Sequence, residues 1–168
     1  MSLSLLPNII LPSLTDLTPQ MLQERGIRFL MMDFDNTIVP YTSDTPTEEM
    51  RSWLEMMKNS DISICIVSNS RRPRVVEFCR KYGLSCITHA KKPFQKGILE
   101  TKRKYDLKSS NAALVGDQIF TDVLGANVGG MTSILVKAID NHNIWLKLRH
   151  IAELPFIALG RAKIARER

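Results

Sequence analysis

One run of side chains limits the folds open to this chain. Residues 27–32 read IRFLMM, and the run stops on two aspartates one residue apart, Asp33 and Asp35. A continuous apolar run of this length suits a strand buried on both faces, as in the middle of a parallel sheet. Carboxylates are rarely buried without a partner or a metal. Two readings follow. Either the strand ends in an ordinary polar turn, or it mounts a reactive carboxylate at the carboxyl edge of a sheet, where open α/β folds place their sites.

The rest of the chain alternates strand and helix signals. DLTPQMLQERG reads as a short helix stopped by Gly26. TPTEEMRSWLEMMKNS reads as a longer one, with Thr45 as its cap, Pro46 in the first helical position and Glu48 closing a capping box. Met50, Trp53, Leu54 and Met57 make its apolar face. ISICIV is a second buried strand, ending at Ser68, Asn69 and Ser70. A helix from Pro73 to Gly83, a short strand LSCIT and a helix QKGILETKRKYD follow. AALVG is a fourth strand, ending on Asp117; FTDVLGANVGG is a helix and MTSILV a fifth strand. This alternation predicts an α/β fold: a three-layer α/β/α, Rossmann-like domain with a mainly parallel central sheet. It spans 1–168, with a core at about 27–136 and a basic, amphipathic tail at 137–168.

Composition excludes some alternatives. Three cysteines (Cys65, Cys79 and Cys86) without C-x-x-C spacing argue against a disulfide framework or a zinc site, and reduced thiols are expected. The apolar amino terminus, interrupted by Pro7 and Pro12, reads neither as a signal peptide nor as a membrane span, but as a segment that docks beside the tail or covers the domain. A net charge of +6 favours anionic partners without naming one.

In a parallel sheet Asp33, Ser68 and Asp117 share one edge. Carboxylates gathered there repel one another unless a cation sits among them, and oxygen ligands select a hard one, Mg²⁺ before Zn²⁺. A lysine and a hydroxyl beside such a metal are what a phosphoryl group requires. DFDNT, SNS, KKP and GDQIFTD, in that order, resemble the four motifs of the haloacid dehalogenase superfamily of phosphotransferases. The resemblance implies Asp33 as the nucleophile that becomes an aspartyl phosphate. It makes Asp35 the general acid and then the base, Ser68 a hydrogen-bond donor to the phosphoryl group, and Lys92 its charge partner. Lys91 is the competing lysine; the resemblance favours Lys92, because Pro93 follows it. Mg²⁺ would be held by Asp33, the backbone carbonyl of Asp35, and Asp117, with Asp122 binding through water or orienting Lys92. Thr37 and Asn69 are the substrate-binding candidates, though Thr37 also suits shaping the turn and Asn69 holding the loop. His89 reads as a surface histidine, and His142 and His150 have no motif around them.

The intervals between motifs leave no room for a large cap domain, so the site is expected to be open and suited to a large substrate. NIILPSLTDLTPQMLQERGIRFLMMDFDNTIVPY and VGDQIFTDVLGANVGGMTSILV resemble the YqeG family of these phosphatases. Eukaryotic relatives of that family convert phosphatidylglycerophosphate to phosphatidylglycerol. The resemblance implies that substrate, an anionic phospholipid, and a cytoplasmic enzyme peripheral on the inner membrane face. The tail, with Trp145, Leu148, Ile151, Leu154, Phe156 and Leu159 among Lys147, Arg149, Arg161, Lys163, Arg166 and Arg168, suits an anionic surface. Part of it also suits packing on the sheet as a final helix. The rival enzyme reading is an uncapped phosphatase of a soluble ester or phosphoprotein. A non-catalytic RNA- or protein-binding module is the third reading. Nucleic acid fits poorly, since no aromatic stacking platform accompanies the basic TKRKYDLK.

Overall fold

The computed structural model describes residues 3–71, 73–140 and 144–166, with side chains in the last stretch from 151 onward. His142, Arg168 and the side chains of residues 145–150, weighed above, lie outside the described residues. Six strands form one sheet: β1 (Ile9–Leu11), β2 (Phe29–Met32), β3 (Ser63–Val67), β4 (Ser85–Ile87), β5 (Ala112–Gly116) and β6 (Thr132–Val136). Their order is β1-β6-β5-β2-β3-β4, and every pairing is parallel.

Side chains of a strand point alternately to its two faces, and β2 uses both. Leu30 and Met32 pack with Trp53, Leu54 and Phe78, from α2 (Glu48–Lys58) and α3 (Pro73–Tyr82). Phe29 and Met31 pack with Ile98 of α4 (Lys96–Lys104) and Ala126 of α5 (Leu124–Val128). Helices therefore cover the sheet on both sides, which is the α/β/α layering. Each fully buried large apolar side chain contributes about 1.5–3 kcal/mol, so β2, buried along its whole length, is firmly anchored in the core. Cys65 and Cys79 are core residues, and burial pushes the Cys65 thiol up to about 11.

Four local features correct or refine the sequence reading. The amino-terminal segment enters the sheet: β1 lies parallel to β6, with Ile9 opposite Ile134. A short helix, α1 (Pro19–Gln23), precedes Gly26, which takes a positive φ of 69°. The α2 helix starts later than expected. Thr47, not Thr45, caps it, its hydroxyl accepting from the Met50 amide at 3.2 Å, so the box of Thr45 with Glu48 does not form. Pro46 is buried in the connection instead of opening the helix. The helix after β5 begins as a π-helical turn, Ile119–Val123, before continuing as α5.

The tail forms α6 (Ile144–Arg166), with Pro155 inside it. Phe156 and Ile157 pack over Ile119, Val123 and Leu135 together with Leu5 and Ile10 from the amino terminus. A Cβ on Gly160 would lie 2.9 Å from the Pro7 ring, so the glycine lets α6 approach the amino-terminal segment. Ile151, Leu154 and Leu159 of α6 remain exposed. Among the described residues, no helix is long and apolar enough to cross a membrane.

Candidate active site

The chain direction around the sheet reverses at β2. From there it moves outward through β3 and β4, then returns to β5 on the other side. Such switch points open a crevice at the carboxyl ends of the strands. Asp33 follows β2, Ser68 follows β3 and Asp117 follows β5, three adjacent strands, and all three residues are buried. The Asp33 amide donates to the Val115 carbonyl, extending the β2–β5 ladder to the carboxylate itself.

Asp33, Asp117 and Asp122 each place a carboxylate oxygen within 4.8 Å of the others. Asp122 reaches the cluster from the π-helical turn. Its approach depends on Gly116, because a Cβ there would lie 2.2 Å from Asp122 Oδ2. The Gln118 amide donates to that same oxygen at 3.2 Å. The other oxygen, Oδ1, lies 2.7 Å from Lys92 Nζ, and Lys92 Nζ lies 2.7 Å from Asp33 Oδ1. Lys92 is thus the lysine that bridges the two carboxylates, whereas Lys91 is exposed.

The loop carrying Lys92 is fixed by Asn69. The Lys92 amide donates to Asn69 Oδ1 at 2.7 Å, and Asn69 Nδ2 donates to the Lys92 carbonyl at 2.9 Å. Asn69 therefore spends its amide on holding the loop. The loop turns through positive φ at His89 and Lys91 and includes a cis Lys92–Pro93 bond. Ser68 is tied on the backbone to Ile87 and Ala90, and its hydroxyl oxygen accepts from the Ser70 amide at 3.0 Å. Thr37 Oγ1 donates to Asp117 Oδ1 at 3.4 Å.

Three carboxylates and the Lys92 ammonium lie together in the cluster. At about 4 Å, each like-charge pair costs on the order of 4 kcal/mol with an effective dielectric constant near 20. Burial pushes the Asp122 carboxyl up to about 6; Lys92 opposes that rise and Asp33 adds to it. Burial alone would lower Lys92, but the fields of Asp122 and Asp33 outweigh it and hold the ammonium above the usual lysine range. A small cluster of carboxylate oxygens, all within 4.8 Å of one another, fits a divalent cation.

Asp35 stands outside that triad. One of its carboxylate oxygens lies 3.4 Å from Arg74 Nη1. Arg74 also donates to the carbonyls of Pro40, Tyr41 and Ser43, pairs with Asp44, and lies over the Phe34 ring. It clamps the connection between β2 and α2 against the site. The sequence reading missed it: Arg74 is one of three arginines in RRPR, and nothing in that string marks which one turns inward. Asn36 plays the matching role on the other side, its side chain bonding the Asp140 backbone. Glu153 was missed as well. Buried in α6, it accepts from the Ile119 amide at 2.9 Å and so caps the helix that carries Asp122. The intervals between Thr37 and Ser68, and between Ser70 and Lys92, hold only α2 with β3 and α3 with β4. The edge is open, and Phe94, next but one to Lys92, is 75% exposed on its rim.

The sequence model of the mitochondrial PGP phosphatase family matches residues 2–139. The chain belongs to that family. A probable phosphatase, YqeG, of Bacillus subtilis is 36% identical over 131 residues, covering 78% of this chain and 76% of that protein. Two solved structures are similar in fold. A cobalt-bound deoxy-D-mannose-octulosonate 8-phosphate phosphatase (YrbI) from Haemophilus influenzae gives a TM-score of 0.54 at 15% identity, covering 74% of this chain and 75% of that one. The haloacid dehalogenase-type hydrolase YfnB of Bacillus subtilis, bound to magnesium, gives 0.55 at 11% identity, covering 74% and 98%. The chain is a phosphatase of the haloacid dehalogenase superfamily, of the YqeG type, and its substrate is a phosphorylated compound.

Proposed function

We propose that this phosphatase is Mg²⁺-dependent, acts on phosphatidylglycerophosphate and passes through an aspartyl phosphate on Asp33. The observation that carries the reading is the Lys92 ammonium, 2.7 Å from both Asp33 and Asp122 beside Asp117. Carboxylates gathered around a buried ammonium suit a cation and a phosphate bound together. Asp33, Asp117 and the Asp35 carbonyl would hold Mg²⁺, which would supply Lewis-acid neutralisation of the phosphoryl oxygens. Asp122, paired with Lys92, orients the ammonium toward the same oxygens. Ser68 accepts from Ser70 and keeps its own hydroxyl proton to donate to the phosphoryl group.

The reaction then runs in two displacements. An Asp33 oxygen attacks phosphorus, the ester P–O bond breaks, and Asp35 gives its proton to the departing glycerol oxygen, which leaves as a hydroxyl. Asp35 next takes a proton from water as the water oxygen attacks phosphorus. The bond between Asp33 and phosphorus breaks, and inorganic phosphate leaves. Thr37 positions Asp117, and Asn69 positions Lys92.

The family description and the uncapped edge support a lipid substrate. So does α6, where exposed Ile151, Leu154 and Leu159 stand among Arg161, Lys163 and Arg166. Each basic side chain near an anionic membrane surface contributes about 1 kcal/mol, enough in sum for reversible attachment at the cytoplasmic face. Mass spectrometry of protein acid-quenched during phosphatidylglycerophosphate turnover and reduced with borohydride should find position 33 converted to homoserine. Continued turnover with no such product at position 33 would remove Asp33 from the mechanism.

A further inference from the structure

An apolar cleft of about 800 Å³ runs from Asp117 between the end of β1 and α6. Leu11 lies on one wall, and Ile157 and Ile164 lie on the other. Small-molecule sites occupy about 300–1,000 Å³, so the cleft has room for a bound ligand. Its charge is one-sided. Apart from Asp117, the charged side chains lining it among the described residues are Lys137 and Arg161, both cationic.

Asp117 therefore belongs to two surfaces at once, the carboxylate cluster and the wall of the cleft. A molecule whose phosphate reaches Asp33 finds the cleft as its direct continuation. Apolar walls with two cations match a ligand that carries a second anionic group between its reacting phosphate and an apolar end. A diacyl phospholipid whose headgroup ends in a phosphomonoester has this order of parts: monoester, glycerol, phosphodiester, acyl chains. A soluble sugar phosphate or a phosphorylated side chain has no apolar end to fill the cleft.

We infer that the cleft between β1 and α6 binds the acyl-glycerol end of the substrate lipid, with Lys137 and Arg161 on its internal phosphodiester. This rests on the phospholipid reading above. The wall formed by α6 lies beyond residues 2–139, the stretch shared with the family. Glu153 joins that wall to the helix carrying Asp122, so lipid seated against α6 is physically continuous with the reacting centre.

The test uses the full chain, dipalmitoyl phosphatidylglycerophosphate in mixed micelles, and the deacylated headgroup, glycerophosphoglycerophosphate, in buffer. Ala165→Trp fills the cleft from its exposed wall, and Arg161→Gln removes one cation without disturbing buried packing. Each variant should lower kcat/KM for the lipid relative to the deacylated headgroup at least tenfold, chiefly through KM. A ratio equal to that of the unaltered protein, whether both activities persist or both fall, overturns the cleft assignment while the lipid reading stands. An unaltered protein with no preference for the lipid overturns both.

Discussion

The two halves of the working edge are built by opposite means. The reacting centre is assembled from the ends of β2, β3 and β5, adjacent strands in the middle of the sheet, and its side chains are held by buried ion pairs and hydrogen bonds. The cleft beside it is assembled from the two ends of the chain, β1 and α6, and is held by apolar contacts. The first is held by polar contacts from several elements. Lys92 is fixed by its side chain to Asp33 and Asp122 and by its backbone to Asn69. The second rests on close apolar contacts such as Gly160 against Pro7. Chemistry demands the first kind of construction, and selection among large substrates tolerates the second.

The largest expected effect breaks the centre alone. Lys92→Met strips the cation from between two buried carboxylates, which costs about 3–5 kcal/mol of stability. Denaturant titration without divalent metal should show that loss, and saturating Mg²⁺ should recover part of it, because the cation binds the folded state only. Activity on lipid and soluble esters should fall together. A selective loss on lipid would mean the two regions are not separate.

A smaller effect tests the joint between them. Glu153→Ala leaves the buried Ile119 amide without its carboxylate, a penalty of about 1–3 kcal/mol. Hydrogen exchange should show faster opening of residues 119–123 and of α6 together. Independent opening of the two would refute the coupling.

The smallest effect lies outside both regions and serves as their baseline. Thr47→Ala should cost about 1 kcal/mol as a lost helix cap, with activity retained, whereas Thr45→Ala should stay within about 0.5 kcal/mol. The reverse ranking in thermal unfolding would restore the capping box read from the sequence.

The same contrast explains what could be read in advance. Asp33 and Asp117 were visible because each ends an apolar run, and the runs are long enough to register as buried strands. Asp122 and Lys92 were visible through motif order. β1 was not visible: three residues flanked by prolines carry no strand signal until β6 lies beside them. Thr45 and Thr47 both satisfy local capping chemistry; in the fold Thr47 caps α2 and Pro46 is buried in the connection before it. Arg74 and Glu153 act through backbone groups 30 or more residues away, a relation that composition and spacing do not encode. The cleft depends on docking between segments at opposite ends of the sequence, so neither segment alone announces it.

One measurement bears most directly on the account. Phosphate release from phosphatidylglycerophosphate in mixed micelles with Mg²⁺ is compared with release from a soluble aryl phosphate, with Asp33→Asn as control. The account predicts a strong preference for the lipid, and a fall of about four orders of magnitude in the variant on both substrates. Turnover of the aryl phosphate alone, or undiminished activity in Asp33→Asn, would contradict it.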